Sequence, residues 1–428
     1  MKILFAMFQG GGNIPLIAPI LPVLVARGHD VRVMAGPGIR RNRLPVSEGL
    51  MRRIEDAGAT RVPFEAPVVH PWDNLPPPRG VIGNWLPKKI ANATEPPLIN
   101  LWAPCWAANM AAEIKRDRPD VVAVDYFLPG AMAAAEAEGL PYACLVHNVP
   151  IPIPSGQPPR YFGYSPPTNA RDRVRQAFWG WCRERVYRRN GLDSLNEARR
   201  EKGLRPIRDT RVQLATSDKI LMLSSQEFDF PARRLPANVR YVGSPIDDRG
   251  TVGSWRNPWP QDDRRPLVLL TLSTISVGQA PLLQKILNAV GGVDARVLVT
   301  LGPLPREAFS PPDNCVLEAF VPHSAVLPET AVVISQCGMS TLAKTLTNGV
   351  PVVCVPLLGD QPDNAARVEA LGAGVRISSE AAAEDIKIAV EEVLRDPKYR
   401  QAAQRLGAVM SRRDAAEAAA DEIEALAR

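Results

Sequence analysis

The residues best suited to bind a ligand lie between positions 335 and 341, after an apolar run and before a helical pattern. They read Ser-Gln-Cys-Gly-Met-Ser-Thr. The first N–H groups of a helix have no partner within the helix, and the helix dipole adds partial positive charge, so such a loop can hold a phosphate. Ser340 and Thr341 add hydroxyl donors at the helix start. The sequence therefore predicts a phosphate site at this loop.

A second loop with polar side chains follows the next strand-like run, at residues 358–364. Asp360 offers carboxylate oxygens as acceptors, and Gln361 offers an amide that both donates and accepts hydrogen bonds. This combination suits a row of sugar hydroxyls. The alternative is that Asp360 only caps the helix that follows it.

The elements that must position these loops alternate between strand and helix. A strand at residues 2–8 enters a glycine loop at 9–13, and a helix at 15–27, delayed or kinked by its prolines, leads to a strand at 30–35. Such a βαβ unit predicts a parallel sheet with its chemistry at the carboxyl ends of the strands. The same half is predicted to contain strands at 120–124, 142–147 and 219–224 and a helix at 131–139.

The alternation begins again after a segment rich in Gly, Pro and charged residues. Strands are expected at 267–272, 297–301, 315–320, 332–335 and 352–356, and helices at 280–290, 341–348, 364–371, 383–394 and 414–427. The predicted fold class is α/β, with two Rossmann-like, doubly wound parallel-sheet domains that face a cleft. The predicted boundaries are 1–246 for the first domain, 247–265 for the linker, 266–411 for the second domain and 412–428 for a terminal helix.

Three motifs in the second half carry a family resemblance. They read Gln-Cys-Gly-Met-Ser-Thr at 336–341, Gly-Val-Pro at 349–351 and Asp-Gln-Pro-Asp-Asn-Ala at 360–365. Together they resemble the nucleotide-diphosphate and sugar signature of the GT-B-fold glycosyltransferase family 1, and within it the actinobacterial enzymes that decorate natural products. The resemblance covers nearly the whole chain and includes residues 27–31, 243–245, 271–274 and 321–324.

The resemblance implies an inverting transfer of a sugar from a nucleotide donor, with a nucleoside diphosphate leaving. It implies that Phe320 stacks on the base, with the backbone of Val321 and with His323 at its edge; core packing is the alternative for Phe320. Asp360 and Gln361 would hold the sugar. The nucleotide or its diphosphate would also contact Ser273, Thr274, Gln336, Gly338, Met339, Ser340 and Thr341. The terminal helix would pack back on the first domain, and neither a metal nor another cofactor is expected.

The chain departs from the family at the position of the acceptor base. The family has a His there, or an Asp in some branches, whereas this sequence has Asn13, whose neutral amide cannot take a proton. The family's supporting acid matches Asp125, which could act directly if burial raises its pKa; an acidic acceptor would need little base. His29 is expected at the opposite end of the sheet. Gln336 replaces a phosphate-contacting His, and Lys344 replaces a Glu.

Composition argues against several other classes of protein. Hydrophobic residues at 46% and charged residues at 22% are ordinary for a soluble enzyme, and no stretch reaches the roughly 20 apolar residues of a membrane span. Despite a net charge of +6, only residues 171–189 are markedly basic. They are interpreted as a solvated helix face, with an anionic membrane or acidic substrate surface as the alternative. The six cysteines lack C-x-x-C spacing, which indicates reduced, mostly buried thiols in a cytoplasm.

Two long segments, residues 65–104 and 149–173, are rich in Pro and aromatic residues, and loops of this length are usually functional. They are interpreted either as a packed apolar cluster or as an acceptor pocket for a hydrophobic molecule. Most of the tryptophans lie in or beside them: Trp72, Trp85, Trp102, Trp106, Trp179 and Trp181.

The leading hypothesis is a cytoplasmic glycosyltransferase of natural-product or antibiotic biosynthesis. Its partners would be a TDP- or UDP-activated sugar and a hydrophobic small-molecule acceptor, with no nucleic acid and no membrane span; the oligomeric state is left open. The second hypothesis is an impaired homologue that binds a nucleotide sugar or a partner enzyme, motivated by Asn13, Gln336 and Lys344. The third is a nucleotide-sugar epimerase of the same fold.

Overall fold

The molecule contains two parallel β-sheets. The computed structural model describes residues 1–8, 13–36, 48–65, 100–149, 156–187, 191–246, 255–272 and 279–427. Within these residues the first sheet has seven strands in the order β3-β2-β1-β4-β5-β6-β7, and the second has six in the order β10-β9-β8-β11-β12-β13. The predicted fold class, two doubly wound parallel sheets of the GT-B type, is confirmed.

The first sheet and its helices occupy the N-terminal half. Its strands are β1 Lys2–Phe8, β2 Asp30–Gly36, β3 Thr60–Val62, β4 Val121–Asp125, β5 Tyr142–Val146, β6 Lys219–Met222 and β7 Val239–Tyr241. Its helices are α1 Ile14–Ile17, α2 Ile20–Ala26, α3 Glu48–Asp56, α4 Ala103–Arg116, α5 Pro129–Ala137, α6 Ala170–Tyr187, α7 Leu192–Glu201 and α8 Arg211–Ala215.

The second sheet and its helices follow. The strands are β8 Leu267–Thr271, β9 Arg296–Thr300, β10 Cys315–Glu318, β11 Thr330–Ser335, β12 Val352–Cys354 and β13 Gly374–Arg376. The helices are α9 Ala280–Val290, α10 His323–Val326, α11 Met339–Thr347, α12 Gln361–Ala370, α13 Ala383–Arg395, α14 Pro397–Met410 and α15 Ala415–Glu424. Short 3-10 turns lie at Arg306–Ala308 and Leu327–Glu329.

Both sheets bury their central strands on both faces. Strands β4, β5 and β8 are buried at every residue, as expected when helices cover both sides of a parallel sheet. The strand order reverses between β1 and β4 in the first sheet and between β8 and β11 in the second. At such a switch point neighbouring connections diverge to opposite faces and leave a crevice at the carboxyl ends of the strands. The loops after β1, β4 and β11 therefore open onto these crevices.

Proline decides where the first helices begin. The helix predicted at 15–27 is two helices, α1 and α2, and Pro19 occupies the N-cap of the second. Proline has no N–H to donate to the preceding turn, so a break at this position is the expected result. Among the elements that the sequence reasoning did not identify are α4, α7, β13 and α14.

The long Trp-containing segments are only partly described. Trp102 and Trp106 are buried in the core of the first domain, which favours the packed-cluster interpretation for these two. Trp72 and Trp85 lie outside the described residues, as do positions 247–254 of the expected linker. All six cysteines are free, and Cys144, Cys315, Cys337 and Cys354 are buried. In the part of the chain that the structure describes, no helix is both long and apolar enough to cross a membrane.

The last helix, α15, packs against α2 of the first domain. Glu424 accepts a hydrogen bond from His29 Nε2 at 2.7 Å and lies 3.1 Å from Arg27 Nη1. Arg27 also pairs with Glu417 and Asp421 on the same helix. His29 precedes β2 at the amino end of the sheet, where it contacts the amino group of Met1 and the terminal helix, away from the crevice.

The Glu424 contacts predict a pH-dependent stability. The hydrogen bond from His29 and the charge of Arg27 lower the pKa of Glu424 below its ordinary value. A carboxyl whose pKa is lower in the folded state than in the unfolded state stabilises the fold at pH values above the unfolded pKa, which is about 4.3. This stabilisation is lost as the pH falls through the lower pKa of the folded state. Glu424→Gln should therefore reduce the free energy of unfolding at pH 7 by up to about 1 kcal/mol, and the difference should shrink below about pH 4.

Urea denaturation at several pH values checks this expectation. Glu384→Gln is the control, because this side chain is 69% exposed in an i,i+3 pair on α13. A Glu424→Gln deficit that does not change between pH 7 and pH 3 would contradict the role assigned to the ion pair.

Candidate functional site

The loop between β11 and α11 has an unusual backbone. Cys337 has a φ of 71°, in the left-handed region that non-glycine residues seldom occupy, and its N–H donates to Ser335 Oγ at 3.1 Å. Gly338 follows in an extended conformation at the N-cap of α11, and no side chain among the described residues caps this helix. Backbone strain of this kind is concentrated at functional sites. The loop thus directs the uncapped start of a helix toward the crevice of the second sheet.

Gln336 is buried in the same loop, with 4% of its surface exposed. Its side-chain oxygen has no hydrogen-bond partner among the described residues. Buried polar atoms are nearly always paired, so this unpaired oxygen next to an uncapped helix start is suited to contact a bound ligand. Rotation of the amide by 180° would present its NH2 donors in the same place.

The remaining residues of the phosphate loop contribute in different ways. Met339 packs its side chain into the core, so a contact with a ligand must come from its backbone. Ser340 and Thr341 are half-buried in the first turn of α11. Ser273 and Thr274, expected on the facing loop after β8, lie outside the described residues.

Asp360 stands at the N-cap position of α12, yet its side chain caps nothing there. Its Oδ2 accepts a hydrogen bond from Asn364 Nδ2 at 2.7 Å. Desolvation raises the pKa of the Asp360 carboxyl although the residue is partly exposed, and the Asn364 hydrogen bond and the charges of His147 and Arg160 act in the opposite direction. The helix-cap alternative for Asp360 is therefore wrong, and the carboxylate has lone pairs beyond the Asn364 contact that can accept from a ligand.

Asn364 joins the two loops. It is fully buried, and its Nδ2 donates both to Asp360 and to the backbone oxygen of Cys337 at 3.0 Å. One amide thus fixes the distance between the phosphate loop and the sugar loop. Sequence reasoning quoted Asn364 within the motif but assigned it no role; its spacing of one helical turn from Asp360 was the available signal.

Gln361 has a more local role than the sequence suggested. Its Oε1 accepts hydrogen bonds from the backbone N–H groups of Leu357 and Leu358 at 2.9 and 3.0 Å. The side chain therefore holds the turn before Asp360 in place. Only its amide NH2 remains for a ligand.

Three residues were expected to contact the base of the nucleotide. Phe320 is 56% exposed, so the core-packing alternative for it is wrong. Val321 is buried in the core of the second domain, which leaves its backbone for a contact with a ligand. His323 is the first residue of α10 and is half-buried. A large aromatic side chain left in solvent beside a crevice is suited to stack on a planar ligand.

In the first domain, Asn13 contacts the acid at the end of β4. Asn13 Nδ2 donates to Asp125 Oδ2 at 2.6 Å and to the backbone oxygen of Phe8. Asp125 is fully buried and also accepts from the N–H of Phe127 at 3.0 Å. This arrangement fixes the carboxylate inside the protein. Asp125 is therefore well placed to orient another group and poorly placed to touch an acceptor itself.

Sequence reasoning missed a second side chain that contacts Asp125. His147 follows β5, is 7% exposed, and places Nε2 3.2 Å from Asp125 Oδ1. The rings of Tyr126 and Phe127 lie 4.9 and 5.2 Å from its ring. The sequence placed His147 at the last position of a predicted strand. Its position at the carboxyl end of that strand was the signal that could have identified it.

The two domains are joined beside these residues. The backbone N–H groups of Tyr161 and Gly163 donate to the two carboxylate oxygens of Asp363 on α12 at 2.5 and 2.8 Å. Arg367 of the same helix pairs with Asp229 of the first domain at 2.7 Å, and both side chains are buried. Tyr161 has a φ of 70°. These contacts hold the N-terminus of α12, and with it Asp360, against the first domain.

Comparison with known proteins relates this site to a family. The family model of UDP-glucuronosyl and UDP-glucosyl transferases matches residues 204–415, which include the phosphate loop and the Asp360 loop. The chain is 28% identical over 434 residues to the 4'-demethylrebeccamycin synthase of Lentzea aerocolonigenes, and the match covers 99% of each chain.

Solved structures share the fold. The glycosyltransferase of kitacinnamycin has a TM-score of 0.74 and 22% identity, with 100% of this chain and 99% of that chain covered. The glycosyltransferase VinC, in complex with dTDP, has a TM-score of 0.68 and 21% identity, with the same coverage. At these identities the likeness shows the fold, and the residues of the site are interpreted from their own geometry.

Proposed function

Since the chain belongs to the UDP-glucuronosyl and UDP-glucosyl transferase family and is a glycosyltransferase of the natural-product type, we propose that it transfers a sugar from TDP or UDP to a hydrophobic small molecule, with inversion at the anomeric carbon. The observation that carries the proposal is the linkage of the uncapped α11 start to Asp360 through Asn364.

The donor would lie along the second domain. The first N–H groups of α11, with Ser340 and Thr341, would bind the diphosphate, and the loops containing Ser273, Thr274 and Gln336 would flank it. Phe320 would stack on the base beside Val321 and His323. Asp360 would accept hydrogen bonds from the sugar hydroxyls, and the amide NH2 of Gln361 would donate to them. The complex of VinC with dTDP supports a nucleoside diphosphate in a protein of this fold.

The acceptor would lie along the first domain. Phe8 and Phe127 pack edge to face at 5.4 Å, and Tyr126 lies 4.1 Å from Phe127. This cluster of rings adjoins Asp125 at the carboxyl end of β4, and it supports an acceptor that is largely apolar. Asn13 would hold Asp125 in place in this arrangement.

A substitution that introduces a negative charge at the N-cap of α11 tests the diphosphate site. Gly338 has φ −63° and ψ 139°, and an added Cβ would lie 3.7 Å from Gln336 Nε2, so Asn or Asp fits there. Both residues are good N-caps, and a carboxylate at this position also interacts favourably with the helix dipole. Gly338→Asp should therefore fold normally but repel the diphosphate. We expect micromolar TDP or UDP binding to the wild type by calorimetry and a loss of about 100-fold or more in Gly338→Asp.

Gly338→Asn is the matched control, because it has the same shape without the charge. It should bind much better than Gly338→Asp. No binding of either nucleotide to the wild type, or equal binding to the Asn and Asp variants, would contradict the assigned site. Binding to the wild type without transfer to any acceptor would favour the impaired-homologue alternative.

A further inference from the structure

His147 lies between the proposed acceptor site of the first domain and the proposed donor site of the second domain. It follows β5 of the first domain, and its charge acts on the Asp360 carboxyl of the second domain. The orientation of its ring is fixed by a hydrogen bond to Asp125. Asp125 is in turn held by hydrogen bonds from Asn13 and from the N–H of Phe127. His147 is therefore a residue of the first domain that lies near Asp360, where the donor sugar is expected.

The contact with Asp125 also decides which nitrogen of His147 is available. A carboxylate only accepts hydrogen bonds, so the proton of the neutral imidazole is placed on Nε2 by the Asp125 contact. Nδ1 then keeps its lone pair. Within the described ranges no group makes a hydrogen bond with Nδ1, and 7% of the His147 surface remains exposed. An oriented imidazole with a free lone pair is the usual arrangement for a general base.

The charged and titratable groups around His147 come from three parts of the chain. Asp125 and Tyr126 come from β4 and the loop that follows it, and Asp360 comes from the start of α12. The charge of Arg160 acts to lower the pKa of both Tyr126 and Asp360. The hydroxyl of Tyr126 accepts from Asn148 Nδ2 at 3.0 Å, which fixes its ring beside His147. Asp125 is the group among these that is hydrogen-bonded to the imidazole.

We propose that His147, oriented by Asp125, is the base that takes the proton of the acceptor, in place of the base that is missing at Asn13. The proposal rests on the proposed glycosyl transfer. In this step the acceptor X–H gives its proton to Nδ1 of His147, and the lone pair of X forms a bond to the anomeric carbon. The bond from that carbon to the phosphate oxygen breaks, and its electron pair leaves with the nucleoside diphosphate. The imidazolium then returns its proton to solvent.

Two probe acceptors test this role with TDP-glucose as donor. One is 2-naphthalenemethanol, a weakly acidic alcohol, and the other is 2-naphthol, a more acidic phenol of similar size. His147→Ala and His147→Gln should lower kcat for the alcohol by about 10²-fold to 10⁴-fold, the usual contribution of a general base. The loss should be clearly smaller for the phenol. In the variants the acidic limb of the kcat/KM profile, which reports the protonation of the base, should also disappear.

TDP affinity by calorimetry distinguishes catalysis from folding. It should be unchanged in both variants, because His147 belongs to the first domain and the diphosphate loop to the second. If His147→Ala fails to fold, His147→Gln keeps a polar side chain of similar size and carries the test. His29→Gln is the control, since His29 lies at the opposite end of the sheet against Glu424, and it should keep full activity.

Full activity of His147→Gln toward the alcohol, or equal losses for the two acceptors with the acidic limb retained, would overturn the assignment while leaving the glycosyl transfer intact. If the wild type transfers to neither probe and binds no TDP, the proposed function itself fails, and the role of His147 falls with it.

Discussion

Replacing Asp360 with Asn or Ala should lower kcat/KM for transfer by about 100-fold or more while TDP still binds. The carboxylate accepts a hydrogen bond from Asn364, and it has further lone pairs that can accept from sugar hydroxyls. Hydrogen bonds to a charged group contribute about 1.5–3 kcal/mol each, and every 1.4 kcal/mol lost by the transition state costs about a factor of ten in rate. Two such contacts to sugar hydroxyls account for the expected loss.

The measurement is initial-rate kinetics with TDP-glucose, together with TDP calorimetry on the same preparations. Glu384→Gln removes an exposed carboxylate from the same domain and should leave both values unchanged. Unchanged turnover in Asp360→Ala would remove the sugar-binding assignment. Loss of TDP binding along with turnover would instead show that Asp360 maintains the loop structure.

Replacing Arg367 with Met should lower the free energy of unfolding by about 3–5 kcal/mol. Arg367 and Asp229 form a buried ion pair between the domains, with 6% and 4% of their side-chain surfaces exposed. Removal of one partner leaves the other charge buried without compensation, which is the costly case. Tyr241 also donates to Asp229, so the carboxylate cannot simply turn toward solvent.

Urea denaturation checks this value. The double variant Arg367→Met with Asp229→Asn should recover most of the loss, because no lone charge remains and Asn still accepts from Tyr241. Arg395→Met is the surface control, as its pair with Glu391 leaves Arg395 76% exposed and should contribute about 0.5 kcal/mol or less. An Arg367→Met deficit no larger than the surface control would contradict the importance of this interdomain pair.

The helices that sequence reasoning missed show where local pattern is insufficient. The sequence pattern predicted a long Pro-rich and aromatic loop up to residue 104 and no helix after it, whereas α4 begins at Ala103. Pro104 is in fact at the first turn of α4, where a missing N–H costs nothing. Trp106, considered for an acceptor pocket, is 1% exposed in the core. Burial depends on what packs against a residue, and the sequence does not state this.

The sequence by itself determined the alternation of strands and helices, the two parallel sheets and the two loops that are proposed to bind the donor. Strands, helices and the loops between them leave a local pattern of apolar and glycine residues. Periodicity and composition therefore predicted β1, α9 and the loops at 335–341 and 358–364. Only the tertiary structure decided which side chains meet. Asn13, Asp125 and His147 are separated by up to 134 positions, and they come together because β1, β4 and β5 are adjacent in the sheet. The proposal of His147 as the base depends on that adjacency, because its hydrogen bond of 3.2 Å to Asp125 joins residues far apart in the sequence and leaves no local pattern.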